Sequence, residues 1–373
     1  MIQPVHGGNL AWAAAIANCP PDAIIDFSAS ISPLGPPKSA ICAIVANLDN
    51  LRHYPDPDYR ELRTAIGKLH QLPPDWILPG NGSAELLTWA GWDLATLAAT
   101  ALVTPAFGDY RRSLEAFDAN IKPFSIFDGK QGLDRSSPYL QCDRDFLLYE
   151  QSSLHSYSPL QRGLLLNNPH NPTGKLFLLE SIAPYLEEFA LVVVDEAFMD
   201  FLPPEQQQSL IPLVEKYPNL VILRSLTKFY SLPGLRLGYA VAHPDRLKIW
   251  QTRRDPWSVS TLAAAAAIAI IQDIAFQQQT WAWLPSAREQ LFTSLTQLPG
   301  LQPWASAANF LLVHSESSVK QLQQRLLQQH RIMIRNCLSF PELGDFYFRV
   351  AVRSHSENEH LACAIAQSLA NNP

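Results

Sequence analysis

The chain lacks the patterns that mark metal-binding, membrane and nucleic-acid-binding proteins. Only 5 of its 373 residues are cysteine. Cys19, Cys42, Cys142, Cys337 and Cys363 are scattered, odd in number and never spaced as CxxC. That spacing points to neither a zinc knuckle nor a disulfide framework, so no metal is expected. Charge is also scarce, at 17% of residues, and the net charge is −6. The basic footprint of a nucleic-acid binder is missing, although one cationic pocket for a small anion remains compatible with this balance. The longest apolar run, LAAAAAIAIIQ from Leu262, is too short and too rich in alanine to span a bilayer. The first residues, MIQPVHGGNL, show no basic region followed by an apolar core. A soluble, cytoplasmic protein without a membrane or nucleic-acid partner is the expectation.

What the chain does have is 47% hydrophobic residues arranged in short, regularly spaced runs. TALV (100–103), GLLLN (163–167), ALVVVDE (190–196), LVILRS (220–225) and LGYAVAH (237–243) read as buried strands. Helical patterns lie between them, among them 83–95, 108–118, 177–189 and 208–217. Continuous apolar strands alternating with helices predict an α/β fold with a mostly parallel sheet sandwiched by helices. From about 256 the pattern changes. Helices over 259–276 and 278–297 lead to ANFLLVHS, a helix near 318–329, IMIR, FYFRVAVR and a final helix. These predict a smaller α+β domain. The expected division is 30–255 for the large domain, with 1–29 and 256–373 forming the small domain and an N-terminal arm. Segment 129–161 is rich in Ser, Gln and Asp and reads as a surface excursion with one strand at FLLY (146–149).

In a parallel sheet the ligand sits beyond the carboxyl ends of the strands, so the residues after each apolar run carry the chemical interest. Asn168-Pro169-His170-Asn171-Pro172-Thr173-Gly174-Lys175 follows one run. Its GK is not a P-loop, because Leu176 replaces the required Ser or Thr and the first glycine is missing. Asp195 and Glu196 follow another run. An acid there must be paired, and taken alone either is equally well a helix cap or half of a structural ion pair. Ser225, Thr227 and Lys228 follow a third run, with Arg236 eight residues beyond the lysine. Gly80-Asn81-Gly82-Ser83-Ala84 is a glycine-rich turn opening a helix, where free amides suit a phosphate.

Together these residues meet the needs of pyridoxal phosphate, which stores the electrons of a bond broken at a substrate's Cα. Lys228 is an amine that can condense with an aldehyde. Asp195 can hold a ring nitrogen protonated, and Asn171 can hydrogen-bond a ring hydroxyl. Gly82, Ser83, Ser225, Thr227 and Arg236 can hold a phosphate. Phe107, in TPAFGDY, either stacks on the ring or packs in the core.

NNPHNPTG, VVVDEAF and SLTKFYSLPGLRLGY, in this order and at this spacing, resemble fold-type I pyridoxal-phosphate enzymes. The branch they resemble contains histidinol-phosphate aminotransferases and threonine-phosphate decarboxylases, and the likeness covers nearly the whole chain. It implies that Lys228 is the lysine bonded to the cofactor, Asp195 the partner of the ring nitrogen, Asn171 the partner of the 3-oxygen and Phe107 the stacking ring. It implies a phosphate grip of Ser225, Thr227 and Arg236 with backbone groups of Gly82, Ser83 and Ala84. Tyr54 matches a tyrosine lent across a homodimer interface. Many relatives carry a tyrosine where this chain has Phe198, which leaves Asn171 as the expected partner of the 3-oxygen.

The terminal features resemble threonine-phosphate decarboxylases. HGGN (His6, Gly7, Gly8, Asn9) before DFSASISPLGPP, and IMIRNCLSF before YFRVAVRSHSENE, carry that likeness. It implies that His6, Gly7, Gly8 and Ser30 lie at the substrate end, with Arg335 and Arg349 as an anion-binding pair that Arg353 joins. Ser30 and Ser32 stand where asparagines are usual. The alternatives are a frayed terminus for His6 and a surface ion pair for Arg353. The implied reaction is decarboxylation of O-phospho-L-threonine to (R)-1-aminopropan-2-yl phosphate in cobalamin biosynthesis. The alternative is histidinol-phosphate:2-oxoglutarate aminotransfer in histidine biosynthesis.

Overall fold

The computed structural model describes residues 6–127, 134–140, 154 and 156–370. Its centre is a seven-stranded sheet. The strands are β1 (Ile77–Asn81), β2 (Ala99–Thr104), β3 (Ile121–Ser125), β4 (Arg162–Asn167), β5 (Leu191–Asp195), β6 (Leu220–Ser225) and β7 (Leu237–Ala242). They lie in the order β1-β7-β6-β5-β4-β2-β3. The β2, β3, β4, β5 and β6 pairings are parallel, and only β7 runs against its neighbours. All five strands expected from apolar runs are present.

Each buried strand feeds both faces, because side chains alternate. Leu191 and Val193 pack on one face with Leu86, Leu102 and Val221, whereas Val192 and Val194 pack on the other with Val103, Leu166 and Ile222. The first face is covered by α1 (Ser83–Ala95) and α2 (Gly108–Glu115), and the second by helices that include α3 (Thr261–Ile271). The continuous apolar runs therefore reflect burial on both sides rather than helical periodicity.

The helix expected over 177–189 is realised only as Leu179–Ile182, followed by a 3-10 stretch, Ala183–Leu186. Pro184 sits there and supplies no N–H to continue the ladder. Over 208–217 only the 3-10 turn Ile211–Leu213 forms; Pro212 sits at its start and has no N–H with which to continue a helix from Gln208. The strand expected at 146–149 falls outside the described residues.

A second sheet of four antiparallel strands joins β8 (Leu301–Pro303), β9 (Phe310–Ser315), β10 (Arg335–Asn336) and β11 (Tyr347–Ala351) in the order β8-β9-β11-β10. Packed with it are α4 (Ile274–Thr296), α5 (Val319–His330) and α6 (His355–Ala370). The N-terminal segment is tied to this part. Ile25 and Asp26 pair in parallel with Ile332 and Met333, and Phe27 bonds through its backbone to Met333 and Ala351. No single helix among the described residues is long and apolar enough to cross a membrane.

One close approach sets the geometry beyond the strand ends. Gly238 of β7 lies opposite both Gly80 of β1 and Ser225 of β6. A Cβ there would stand 2.6 Å from the Ser83 nitrogen and 2.7 Å from the Arg224 carbonyl oxygen. Both are backbone atoms, so relief requires parting three segments. Gly238→Ala is therefore expected to cost about 1–3 kcal/mol, as overpacking does. Urea denaturation measures this, and an unchanged midpoint would show that the segments part freely.

Candidate active site

At the carboxyl ends of β4, β5 and β6 lies a cavity of about 250 Å³. Its lining includes Asn171, Asp195, Phe107 and Lys228 from the central sheet's loops, His6, Gly7 and Ser30 from the N-terminal arm, and Arg349 from the second sheet. Residues far apart in sequence thus converge on one space.

Asp195 ends β5 and is buried. Its Oδ2 accepts from the Tyr110 hydroxyl at 2.8 Å and its Oδ1 from the Ala197 N–H at 3.0 Å. Burial pushes its carboxyl above the usual carboxylate range, while the Lys228 charge and these hydrogen bonds pull it back. Lys228 faces the same cavity. Burial pushes its amine below the ordinary lysine value; Asp195 opposes that shift, and Arg236 and Arg349 add to it. The Lys228 Nζ donates to Ser225 Oγ at 3.4 Å and stands 5.1 Å from the centre of the Phe198 ring. At position 198 the amine therefore meets an aromatic face and no hydroxyl.

Beside the lysine is an anion cup. Gly82, at φ 75°, opens α1, and no side chain caps the helix. A Cβ on Gly82 would fall 2.6 Å from Arg236 Nη2, so the guanidinium lies against bare backbone. Ser225 Oγ and Thr227 Oγ1 are 2.8 Å apart, and Ala84 and Ser83 line the cavity. Unpaired amides at a helix start, two hydroxyls and a cation are groups that can hold a phosphate.

At the other end two arginines face each other. Arg335 and Arg349 are cross-strand partners on β10 and β11, and both are buried. Like charges directly opposite are destabilising. Burial and the Arg335 charge push the Arg349 guanidinium down to about 10. Arg349 donates to Asn171 Oδ1 and, at 3.4 Å, to the Ser28 carbonyl oxygen. Arg335 donates to Ser339 Oγ at 2.7 Å.

The N-terminal arm closes this end. A Cβ on Gly7 would lie 2.4 Å from the Ser28 carbonyl oxygen, and the Gly8 N–H donates to Ser28 Oγ at 2.8 Å. His6 is half exposed; its ring is 5.5 Å from Phe107 and its Nε2 is 3.8 Å from Asp109. Ser30 Oγ is buried against the cavity with no hydrogen-bond partner among the described residues.

Of the expected site residues, Gly8, Gly82, Ser225, Thr227, Arg236 and Arg335 adjoin the cavity lining without being part of it, and Tyr54 and Arg353 make their contacts elsewhere. Tyr54 is 78% exposed and stacks on Trp257 at 4.4 Å. Arg353 pairs with Glu357 at 2.6 Å and donates to the Asp26 carbonyl oxygen at 3.1 Å. Its charge is met by Glu357, which is the ion-pair alternative. Conversely, the sequence reading gave Tyr110 no role. The signal was present, since it lies one helical turn beyond Phe107, but nothing in the sequence joined it to Asp195.

Fold and cavity define a class: a pyridoxal-phosphate enzyme of fold type I, with an amine and an acid facing across a cavity beside groups that can hold a phosphate. A family model for aminotransferase class I and II matches residues 22–365, and the chain belongs to that family. It is 40% identical over 376 aligned positions to threonine-phosphate decarboxylase of Salmonella typhimurium, covering 99% of this chain and 98% of that one. It is 32% identical over 302 positions to histidinol-phosphate aminotransferase 2 of Ralstonia nicotianae, covering 78% and 74% of the two chains. The histidinol-phosphate aminotransferase of Sinorhizobium meliloti, solved in complex with pyridoxal-5'-phosphate, has the same fold, with a TM-score of 0.82 at 21% identity over 99% and 97% of the chains. Pyridoxal 5'-phosphate is the cofactor of that family, and the donors described above fit it.

The lysine's environment predicts a pH dependence. An amine condenses with an aldehyde in its neutral form, and burial shifts Lys228 towards that form. Uptake of pyridoxal phosphate by apoprotein should quicken as pH rises and level off below the ordinary lysine value of 10.5. Stopped-flow absorbance tests this; a rate still climbing at that pH would contradict it.

Proposed function

We propose that this enzyme decarboxylates O-phospho-L-threonine to (R)-1-aminopropan-2-yl phosphate, in cobalamin biosynthesis, as a cytoplasmic homodimer. The observation that carries the reading is Arg349, which lines the same small cavity as Lys228 and Asp195 and has the buried Arg335 as its cross-strand partner. The 40% identity over 99% of the chain to a threonine-phosphate decarboxylase supports it. The chain divides at 30–255 and at 1–29 with 256–373, so that the substrate lies between the two parts.

Pyridoxal phosphate, when bound, supplies an electron-withdrawing ring for the pair released at Cα. The protein's side chains do the rest. Lys228 would provide the amine that holds the cofactor's aldehyde and a proton donor or acceptor near the substrate's Cα. Asp195 holds the ring nitrogen's proton. Asn171, whose Oδ1 is taken by Arg349, offers N–H donors to the 3-oxygen. Phe107 covers the ring. Gly82, Ser83, Ala84, Ser225, Thr227 and Arg236 hold the phosphate, and Tyr54 reaches the neighbouring subunit's phosphate. Arg349 receives the substrate carboxylate and Arg335 its second anion, with His6, Gly7, Gly8 and Ser30 covering both. Arg353 supports the arm through Glu357 and Asp26.

The outcome would be decided by which bond at Cα the residues present for breaking. Arginines that hold the carboxylate in that place would favour loss of carbon dioxide, whereas a hydrogen held there would be taken as a proton by Lys228, as aminotransfer requires. Product analysis separates these outcomes. Carbon dioxide from phosphothreonine is expected. Glutamate from histidinol phosphate with 2-oxoglutarate, without carbon dioxide release, would favour the aminotransferase reading, which the 32% identity to the Ralstonia enzyme supports.

Lys228→Ala should lower turnover at least ~1000-fold and abolish borohydride-fixed cofactor, since it removes both the covalent anchor and the proton carrier. Full activity in that variant would remove the central assignment. Arg349→Ala should lower kcat/KM for phosphothreonine by roughly 100-fold, the scale of two charge-assisted hydrogen bonds, and Arg349→Lys should restore only part of it. An unchanged kcat/KM would place the carboxylate elsewhere.

A further inference from the structure

Asp195 is held at both oxygens, and one of the two donors is a side chain outside the assignments above. Tyr110 is 3% exposed, and its hydroxyl donates to Asp195 Oδ2 at 2.8 Å. The other oxygen takes the Ala197 N–H. With both ends engaged, the plane of the carboxylate is fixed. Tyr110 also packs edge-on against Phe107, with ring centroids 5.8 Å apart. One side chain thus touches both the acid and the ring expected to cover the cofactor.

The support for Tyr110 is stiff. It lies on α2, where its backbone N–H bonds to the Phe107 carbonyl and its own carbonyl accepts from Ser113 Oγ at 2.8 Å. α2 seats closely on α1 because Gly91 has no side chain; a Cβ there would stand 2.4 Å from the Ser113 carbonyl oxygen. Among the described residues Tyr110 is the only phenol lining the cavity, position 198 being phenylalanine.

We propose that Tyr110 is a positioning residue whose hydroxyl orients the Asp195 carboxylate towards the cofactor's ring nitrogen. The proposal rests on the reading that Asp195 meets that nitrogen. The chemistry runs one way. A donor to a carboxylate favours its ionised form. Burial, followed by the neighbouring Asp195 charge, holds the phenol well above its ordinary value, so it keeps its proton and always donates. Without it Asp195 takes a proton more readily, and the ring nitrogen loses its own.

The test loads wild-type and Y110F apoprotein with pyridoxal phosphate carrying ¹⁵N in the ring. The variant's nitrogen resonance should move towards the unprotonated value, and its cofactor dissociation constant should rise ~10-fold. 3-Fluorotyrosine incorporated at 110 keeps the shape and strengthens the donor, so its resonance should move the opposite way. A purely packing role would leave that second shift at zero. Wild-type resonance and affinity in both variants overturn the proposal alone. Wild-type apoprotein that takes up no cofactor overturns the proposal together with the reading beneath it.

Discussion

The site depends on placing an acid and an amine, Asp195 and Lys228, together in one cavity at the strand ends. Each is shifted by burial towards its neutral form, and each is drawn back by the other. Desolvating two ions costs several kcal/mol apiece, and attraction in a low dielectric repays that only when other hydrogen bonds complete their shells. The completing groups are those found: Tyr110 and the Ala197 N–H on the acid, and Ser225 Oγ on the amine. A polarised pair of this kind is a poor way to stabilise a core. It is a suitable way to grip the two ends of a conjugated ring.

Strand alternation explains how the pair is held still. Leu191, Val193 and Asp195 point to one face of β5, and Val192, Val194 and Glu196 to the other. The same parity in β6 sends Ser225 towards the site and Arg224 away from it. On the far face Arg224 pairs with Glu196 at 3.0 Å, with both side chains almost fully buried, and Glu196 also accepts from Ser209 and the Leu210 N–H. Breaking such a pair costs about 3–5 kcal/mol, because one charge is left uncompensated. Neighbours in sequence therefore divide the work. Asp195 faces the cavity and Ser225 the Lys228 amine, while Glu196 and Arg224 tie the ends of their two strands together behind them.

The strands and the cofactor-end residues were legible because both are local. A buried parallel strand writes a continuous apolar run, and the functional residue follows it immediately, as in VVVDE and LVILRSLTK. Where the pattern was two-sided the reading failed. Apolar residues around Pro184 and Pro212 suggested helices, but a proline within each segment decided otherwise. Tertiary partners were less legible still. Nothing in TPAFGDY says that Tyr110 reaches across to Asp195, 85 positions on. Nor does the proximity of Arg353 to Arg349 in sequence show that its guanidinium turns to Glu357.

The substrate end follows from charge accounting rather than from any single contact. Two guanidiniums face each other on adjacent strands, and burial together with this proximity weakens the hold of Arg349 on its proton. Among the described residues no carboxylate pairs with Arg349; its partners are the Asn171 amide oxygen and the Ser28 carbonyl. A ligand with one anionic group relieves part of this repulsion. A ligand with a carboxylate and a phosphate on neighbouring carbons brings anionic charge to this end of the cavity twice over, and such attraction strengthens as water is displaced. Phosphothreonine carries both groups; histidinol phosphate has only the phosphate. The arginine pair thus suits a ligand that brings two anionic groups close together, as the amino acid does.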